Sequence, residues 1–409
     1  MQQAWQRVKA NKGAAGIDDM SITDYPDFAR ANWPRIKASL LDGTYKPTPV
    51  KRVEIPKDSG GTRPLGIPTV SDRVIQQAIT QVLVPIFDPH FSESSYGYGP
   101  GRSAHQAVKK VVELINKGYR YAVDIDLAKF FDNVNWDVLM SRIGRRVKDK
   151  GILKLIGKYL RAGVAVNGRL TQTTKGVPQG GPLSPLLSNI LLDDLDKELE
   201  KRGHQFCRYA DDLIILVKSR RAGERVMKSV TLFLEKNLKV QVNRDKSKVG
   251  TAEGSTFLSF TFHGKRPTVS RKAFTNFKNE LKRLTGRSWG ISMERRYEEI
   301  RRYLQGWMNY FGMGMRYNDA VELDQRLRRR IRMCYWKQWR RTRKRVGELM
   351  KRGVSEKHAV SVGMSRKGYW HLAKNEAINV GLSNAYLKKQ GLTSIRTLWI
   401  KVYYPATAR

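Results

Sequence analysis

The sequence is poor in cysteine, poor in acidic residues relative to basic ones, and free of long apolar runs. Among its 409 residues only Cys207 and Cys334 are cysteines, which excludes a disulfide framework and a zinc site built from paired Cys-x-x-Cys units. No apolar stretch approaches the roughly 20 residues of a membrane span, and residues 1–13 lack the apolar core of a signal peptide. We therefore predict a cytoplasmic protein without a membrane partner.

Basic residues dominate the charge. Lys and Arg number 77 against 37 Asp and Glu, which gives a formal net charge of +40. Such an excess predicts a polyanionic partner, and nucleic acid is the first candidate. Because 40% of the residues are hydrophobic, the chain can also bury a core and is not a disordered basic tail.

Two pairs of carboxylates stand in predicted strand contexts. Asp211 and Asp212 lie between the apolar runs 205–208 and 213–217, which predicts a β-hairpin with both acids at its tip. Asp124 and Asp126 alternate with other residues over 121–127, which predicts a strand with both acids on one face. The structural alternatives are a solvated turn and a wet strand face. Since neighbouring like charges oppose ionisation, two such clusters favour a divalent metal site, in which paired Mg²⁺ ions could serve phosphoryl transfer.

Several other segments of the first 265 residues have recognisable patterns. Residues 50–55 and 63–67 flank a Gly-rich turn and predict a basic hairpin. Helices are predicted over 71–87 and 136–160. The Gly- and Pro-rich passage 176–185 has too many backbone breakers for a regular element, so it predicts a loop that approaches another group closely.

Beyond residue 265 the chain becomes helical, basic and aromatic. An apolar stripe with helical spacing is predicted as core rather than as a base-stacking surface. The stripe consists of Tyr303, Leu304, Trp307, Met308 and Phe311.

The segment 326–345 interleaves arginines with Tyr335, Trp336 and Trp339. A solvated helix face is the alternative, but so dense a charge run would repel itself unless phosphate neutralised it. Guanidinium groups that grip phosphate and rings that stack on bases favour RNA as the partner. The predicted RNA-binding residues are Arg328, Arg329, Arg330, Arg332, Lys337, Arg340 and Arg341.

An ordered series of blocks resembles the reverse transcriptase core. The blocks are Asp124-x-Asp126-Leu127, Gly176-x-Pro178-Gln179-Gly180, Tyr209-Ala210-Asp211-Asp212 and Asn243-x-x-Lys246-Ser247. Further blocks at 11–18, 66–69, 102–107, 184–189 and 306–311 are similar to the reverse transcriptase/maturase proteins encoded by bacterial group II introns. The resemblance is to their compact type, which lacks an endonuclease domain, and it covers nearly the whole chain.

This resemblance implies an α+β fold of the right-hand polymerase type, with fingers, a palm of antiparallel sheet plus helices, and a helical thumb that doubles as the maturase region. Residues 1–44 would form an N-terminal extension shorter than is usual in the family. Residues 45–265 would form the fingers and palm, and residues 266–409 the basic thumb and maturase region.

The resemblance also implies a metal site. Asp124, Asp211 and Asp212 resemble the catalytic carboxylates, which would hold two Mg²⁺ ions, with Mn²⁺ as a possible replacement. Asp126 would then be a supporting residue. Lys246 resembles a candidate proton donor to the leaving group.

Four residues match nucleotide-binding positions of the family. Lys57 and Arg63 match the fingers residues that bind the incoming triphosphate, and Gln179 matches a loop residue near the templating pair. Phe130 resembles the steric gate that rejects a ribose 2′ hydroxyl, with the adjacent Phe131 as the alternative.

The function implied is that of an RNA-directed DNA polymerase, a nucleotidyltransferase that extends a DNA or RNA primer on an RNA template with deoxynucleoside triphosphates. Structured intron RNA is the further expected partner, bound in the course of splicing and retrohoming. One alternative is an RNA-binding splicing cofactor whose polymerase activity is dispensable. Another is a domesticated relative in DNA repair or phage defence, which Gly99 permits because the family usually has arginine there.

Overall fold

The computed structural model describes residues 1–56, 60–166, 169–264 and 266–404. Lys57, one of the predicted triphosphate-binding residues, lies outside the described residues. The chain divides into two compact units, Met1–Leu258 and Ser259–Arg409. No helix within the described ranges is both long and apolar enough to cross a membrane.

The first unit combines helices with two sheets, as the α+β prediction requires. Its strands are β1 (Val50–Pro56), β2 (Thr62–Ile67), β3 (Tyr121–Ile125), β4 (Val164–Val166), β5 (Arg169–Thr171), β6 (Gln205–Tyr209), β7 (Asp212–Val217), β8 (Lys248–Thr251) and β9 (Thr256–Phe257). Its helices are α1 (Gln2–Ala10), α2 (Tyr25–Leu41), α3 (Val70–Phe87), α4 (Ala104–Asn116), α5 (Phe130–Asn133), α6 (Trp136–Gly144), α7 (Lys150–Leu160), α8 (Ser184–Lys201) and α9 (Arg220–Phe233). The α+β prediction is confirmed.

An antiparallel sheet with the strand order β6-β7-β3-β8 forms the centre of this unit. Residues 213–217 of β7 are all buried, because this strand lies inside the sheet between β6 and β3. The predicted hairpin of β6 and β7 is confirmed. The strand predicted over 121–127 is present but ends at Ile125, one residue before Asp126. The apolar residues of both strands join a large core with those of α3, α6, α7 and α8.

A second sheet has the strand order β2-β1-β4-β5. Its β1–β2 pair is the basic hairpin predicted from residues 50–67. The helix predicted over 71–87 is α3, whose first turn is capped by the Thr69 hydroxyl accepting from the Asp72 backbone N–H. The single helix predicted over 136–160 is wrong. The chain forms α6 and α7 instead, because the Asp149 carboxylate caps a new helix by accepting from Ile152 N–H.

The second unit is helical after one short antiparallel pair of strands. Its strands are β10 (Phe260–His263) and β11 (Arg266–Val269). Its helices are α10 (Arg271–Leu284), α11 (Met293–Phe311), α12 (Tyr317–Gln338), α13 (Thr342–Met350), α14 (Glu356–Gly363), α15 (Tyr369–Leu372), α16 (Glu376–Gly381), α17 (Asn384–Lys389) and α18 (Ile395–Tyr403). The apolar stripe on α11 packs into this unit's core, which confirms its prediction as core.

Candidate active site

The tip of the β6–β7 hairpin holds the two adjacent carboxylates in a strained turn. Tyr209 pairs with Asp212 across the ladder, so Ala210 and Asp211 form a two-residue turn. Ala210 has a φ of +57°, in the left-handed region that costs an L-residue energy and persists only where the surroundings impose it. We call Tyr209–Asp212 the acidic turn.

One surrounding group is Gly97, which lies directly against the acidic turn. A Cβ atom at Gly97 would stand only 2.3 Å from the backbone nitrogen of Ala210, so no larger residue fits there without displacing the turn. The Gly97 carbonyl accepts a hydrogen bond of 2.8 Å from the Asn189 side chain on α8. The backbone of residue 97 is therefore fixed to the core and limits where the turn can lie.

The second surrounding group is Arg208, whose side chain is 1% exposed. Its guanidinium forms a two-point ion pair with Asp196, with Nε–Oδ1 and Nη2–Oδ2 distances of 2.7 and 2.5 Å. The remaining N–H groups donate to Asn189 Oδ1 at 3.0 Å, to the Ala210 carbonyl at 2.9 Å and to Ser95 Oγ at 2.8 Å. A buried charge is tolerated when it is paired and hydrogen-bonded in this way. The Arg208 side chain thus connects the acidic turn to α8.

The strand register decides which acid on β3 faces the acidic turn. Ile125 pairs with Leu213 and Asp124 pairs with Ile214, so continuing the register by one residue brings Asp126 across from Asp212. Asp124 instead lies opposite Lys248 on its other side. Directly opposite residues on neighbouring strands have their Cβ atoms about 5 Å apart. The extended register therefore brings Asp126 level with Asp212, and leaves Asp124 two residue pairs further into the sheet.

The pKa values of these carboxylates agree with their burial and with the nearness of other negative charges. Burial is the largest cause of a raised pKa at Asp211, and the charge of Asp126 adds to it. The pKa of Asp212 is raised to about 6 by burial of its carboxyl and by the charges of Asp211, Asp124 and Asp126. Burial likewise raises the pKa of Asp124, against the opposing charge of Lys248. The raised pKa values of Asp124, Asp211 and Asp212 show that their charged forms are disfavoured, so the site would gain from a cation.

A pH-dependent stability is expected from Asp212. Because its folded pKa of about 6 lies above the ordinary 3.8, the folded state binds more protons in this window, and stability falls as pH rises from 3.8 through about 6. Thermal unfolding in a chelator should show this fall for the unmodified protein and a shallower one for Asp212→Asn. Identical pH profiles for the two proteins would contradict the assignment.

These carboxylates fit a divalent cation that arrives with substrate. Carboxylate oxygens are the ligands that Mg²⁺ prefers, and the ion commonly binds one or two of them together with substrate phosphates and water. Over the part of the chain that the structure describes, no group of three or more His, Cys, Asp or Glu side chains is placed to hold an ion. One or two carboxylates together with substrate phosphates are a donor set of the kind that Mg²⁺ uses, so the ions would be bound jointly by protein and nucleotide.

A cavity of about 370 Å³ in the first unit contains the predicted nucleotide-binding residues Arg63 and Gln179. Arg63 Nε donates to Gln179 Oε1 at 2.6 Å, and the Gly66 N–H donates to the Gln179 carbonyl at 2.7 Å. Gly180 has a φ of +115°, and a Cβ there would lie 2.6 Å from the Gly66 carbonyl oxygen. The predicted close approach of this loop is confirmed, and its target is the β1–β2 hairpin.

The two adjacent phenylalanines differ in their surroundings. Phe131 lines the cavity that contains Arg63 and Gln179, whereas Phe130 is not among the residues that line it and is 2% exposed in the core. The structure therefore places Phe131 rather than Phe130 beside the nucleotide-binding candidates. Lys246, the predicted proton donor, is exposed, and its Nζ lies 3.9 Å from Asp126 Oδ2.

The predicted RNA-binding stretch is only partly available to a ligand. Arg332 is 8% exposed, and its guanidinium donates to the Leu382 carbonyl at 2.9 Å and to Asn384 Oδ1 at 3.0 Å. Burial lowers its pKa to about 10. The prediction that Arg332 contacts RNA is therefore wrong, because tertiary packing uses this guanidinium inside the unit. The predicted base-stacking rings are also core residues, namely Tyr335, Trp336 and Trp339.

The other basic residues of this stretch differ in whether their side chains are bonded within the protein or exposed. Arg328 forms an ion pair with the buried carboxylate of Asp324. Arg330 donates to the Lys282 carbonyl at 2.9 Å and also contacts Thr285. Three of the predicted residues are exposed, namely Lys337, Arg340 and Arg341.

Comparison with known families matches both units. Residues 55–262 match the family described as reverse transcriptase (RNA-dependent DNA polymerase). Residues 274–353 match the group II intron, maturase-specific domain.

Three relatives show how far the similarity extends. Protein YkfC of Escherichia coli K12 is 33% identical over 298 residues, which are 63% of this chain and 78% of that protein. Group II intron-encoded protein LtrA of Lactococcus lactis is 40% identical over 214 residues, which are 52% of this chain and 35% of LtrA. The putative COX1/OXI3 intron 2 protein of Saccharomyces cerevisiae is 30% identical over 341 residues, 67% of this chain and 39% of that protein. The chain thus spans well under half the length of the two intron-encoded relatives.

Proposed function

Since this chain belongs to the reverse transcriptase (RNA-dependent DNA polymerase) family and carries a group II intron maturase-specific domain, we propose that it copies RNA into DNA by a two-Mg²⁺ mechanism. It extends a DNA or RNA primer on an RNA template with deoxynucleoside triphosphates. It also binds structured intron RNA as a splicing maturase in retrohoming. A cytoplasmic location stays a prediction.

The observation that carries the polymerase proposal is that the β3–β7 register brings Asp126 level with the acidic turn, where its charge raises the pKa of both Asp211 and Asp212. In this proposal Asp126, Asp211 and Asp212 hold the metal ions, and Asp124 supports them from further along the strand. This replaces Asp124 by Asp126 in the predicted metal set, on the strength of the register between β3 and β7. Divalent cations held by these carboxylates would supply positive charge for activating the primer hydroxyl and stabilising the leaving oxygen.

The chain's own residues position and discriminate the substrates. Arg63 binds the triphosphate, and its hydrogen bond to Gln179 keeps the fingers hairpin against the glycine-rich loop. In this proposal Phe131, which lines the same cavity as Arg63 and Gln179, excludes a ribose 2′ hydroxyl. Lys246 holds a proton for the departing pyrophosphate, and its nearness to Asp126 keeps that ammonium group at the site.

Primer extension on a plain RNA template tests this function. Extension should require Mg²⁺ and deoxynucleotides, and a Phe131→Val variant should incorporate ribonucleotides at least about tenfold better than the unmodified enzyme, because the smaller side chain removes a steric clash of a few kcal/mol at most. Phe130→Val is the matched control and should keep the original discrimination. No extension by the unmodified protein, together with retained RNA binding, would favour a splicing cofactor without polymerase activity.

A further inference from the structure

Cationic side chains from three other segments of the second unit lie near two neighbouring rings on α15, those of Tyr369 and Trp370. The Arg329 guanidinium on α12 lies 3.8 Å from the centre of the Trp370 ring and donates to the Trp370 carbonyl at 2.8 Å. Three other cationic groups lie near the Tyr369 ring. These are Arg287 at 4.9 Å, Lys337 at 5.4 Å and Arg345 at 5.7 Å from its centre. We call these six residues the α15 cluster.

The four cations of the cluster have no acidic partner, since none of them forms an ion pair with a carboxylate among the described residues. Over the same residues other exposed arginines of this unit, such as Arg301, Arg341 and Arg343, also form no ion pair. Several arginines of the unit are instead paired with acids. Those pairs include Arg283–Glu280, Arg295–Glu299, Arg316–Asp319 and Arg352–Glu348.

Cation–π attraction alone explains the arrangement poorly. One such contact at an exposed site is a weak attraction, and three cations around one ring also repel one another. Arg287 and Lys337 are exposed, so both could extend into solvent. Their convergence is favourable where a multivalent anion lies between them.

Trp370 supplies a second, independent feature. Its side chain is 39% exposed and does not belong to the core, although Tyr369 beside it packs against that core. A large exposed ring flanked by cations is what single-stranded nucleic acid uses as a stacking platform. Because Arg329 is held against Trp370 by the carbonyl of the same residue, the ring is already ordered before a ligand binds.

We propose that the α15 cluster is a nucleic-acid subsite that stacks one unpaired base on Trp370 and binds the adjacent phosphates through the exposed Arg287 and Lys337. Arg345 adds positive charge from a fixed position, because its guanidinium donates to the Trp339 carbonyl at 2.9 Å and lies 5.0 Å from the centre of the Trp336 ring. The inference rests on the proposed function, which supplies RNA as the ligand. It assigns part of the RNA contact to residues 369–370, beyond the segment matched by the maturase-specific family. Arg287, Tyr369 and Trp370 also lie outside the predicted arginine-rich stretch.

The test uses the full chain and a short stem–loop RNA with 4-thiouridine in its loop, beside a DNA stem–loop of the same sequence with 4-thiothymidine. Photocrosslinked peptides should contain Tyr369 or Trp370. Trp370→Leu should weaken RNA binding about tenfold, since stacking one base commonly contributes a factor of that order. The double variant Arg287→Gln, Lys337→Gln should reduce the slope of log affinity against log salt by roughly 2.

The control is Lys351→Gln, Lys357→Gln, which removes two exposed positive charges outside both the cluster and the arginine-rich stretch 326–345. It should bind within about twofold of the unmodified protein at fixed salt and give the same crosslinked peptides. Circular dichroism melts must show that each variant is folded at the assay temperature. Equal adducts with RNA and DNA would identify a site for any unpaired nucleotide, and RNA adducts alone would identify an RNA site.

Two other results separate the possible failures. Crosslinks that map elsewhere, or a folded Trp370→Leu variant that binds as tightly as the unmodified protein, would overturn the α15 subsite while leaving RNA binding and primer extension in place. An unmodified protein that binds neither strand would overturn this subsite and the maturase proposal together. Primer extension measured on the same preparation then shows whether the polymerase proposal also fails.

Discussion

Replacing Asp126 with asparagine is expected to reduce the rate of primer extension by about 10³-fold or more, the size of loss typical when a residue that acts within a catalytic unit is removed. Asp124→Asn is expected to retain activity within about tenfold. The two substitutions are chemically identical and lie two residues apart in the chain. A difference in rate between the two variants therefore reports the effect of the carboxylate's position alone.

The expected difference follows from the ladder between β3 and β7. Asp126 lies where the register brings β3 level with Asp212, while Asp124 faces Ile214 on one side and Lys248 on the other. The charge of Asp124 raises the pKa of Asp212 more than the charge of Asp126 does, but only the charge of Asp126 is among the causes that raise the pKa of both Asp211 and Asp212. Bound divalent ions convert this repulsion into joint coordination.

The measurement is single-turnover extension at saturating Mg²⁺, with RNA binding followed separately by filter retention. Asp211→Asn should lose activity as completely as Asp126→Asn, and both should bind RNA as the unmodified protein does. A severe loss for Asp124→Asn beside an active Asp126→Asn would show that the register argument is wrong and would restore the assignment made from sequence.

Sequence patterns predicted the presence of the strands around this site correctly. They could not show whether Asp124 or Asp126 lies level with the acidic turn. A period of two places Asp124 and Asp126 on the same face, and only the pairing with β7 shows which of them stands level with the acidic turn. Sequence alone is equally unable to distinguish the adjacent residues Phe130 and Phe131. Both are apolar residues in an apolar neighbourhood, and only the cavity that Phe131 lines together with Arg63 and Gln179 distinguishes it from Phe130.

In the basic segment 326–345, sequence alone could not show which arginines are exposed to a ligand. Charge density over 326–345 predicts a polyanion surface, but a helix buries whatever side chains face its neighbours, and α12 buries Arg332 against residues some fifty positions further on. The family resemblance is confirmed by the two family matches. The roles of the individual arginines depended on contacts that no local pattern contains.

Arg208 is the functional candidate that sequence reasoning missed, because its partners lie at 95, 189 and 196. The one feature of the local sequence that could have indicated a role for Arg208 is its charge within the apolar run that leads to the acidic turn. A buried cation is costly unless it is fully paired, so its presence there indicates a specific network. The network ends on the carbonyl of Ala210, the residue with the strained backbone.

Arg208→Lys is therefore expected to reduce the maximal rate of extension by about 100-fold, an effect comparable to losing one preorganised catalytic hydrogen-bond donor. Lysine keeps the charge beside Asp196, but its single ammonium group cannot reach Asp196, Asn189, Ser95 and the Ala210 carbonyl together. The acidic turn then loses the hydrogen bond that opposes its strain. The half-saturating Mg²⁺ concentration should rise, while affinity for primer–template should not change.

Ser95→Ala is the matched control for Arg208→Lys. It removes one hydrogen bond from the same guanidinium but none from the acidic turn, so it should lower the free energy of unfolding by about 1 kcal/mol and leave the maximal rate within about twofold. A general loss of stability would slow both variants in proportion to their melting temperatures. A specific role requires Arg208→Lys alone to shift the Mg²⁺ dependence at a temperature where both proteins are folded. An Arg208→Lys enzyme with the original rate and Mg²⁺ requirement would show that Gly97 and the hairpin ladder are enough to hold the carboxylates in place.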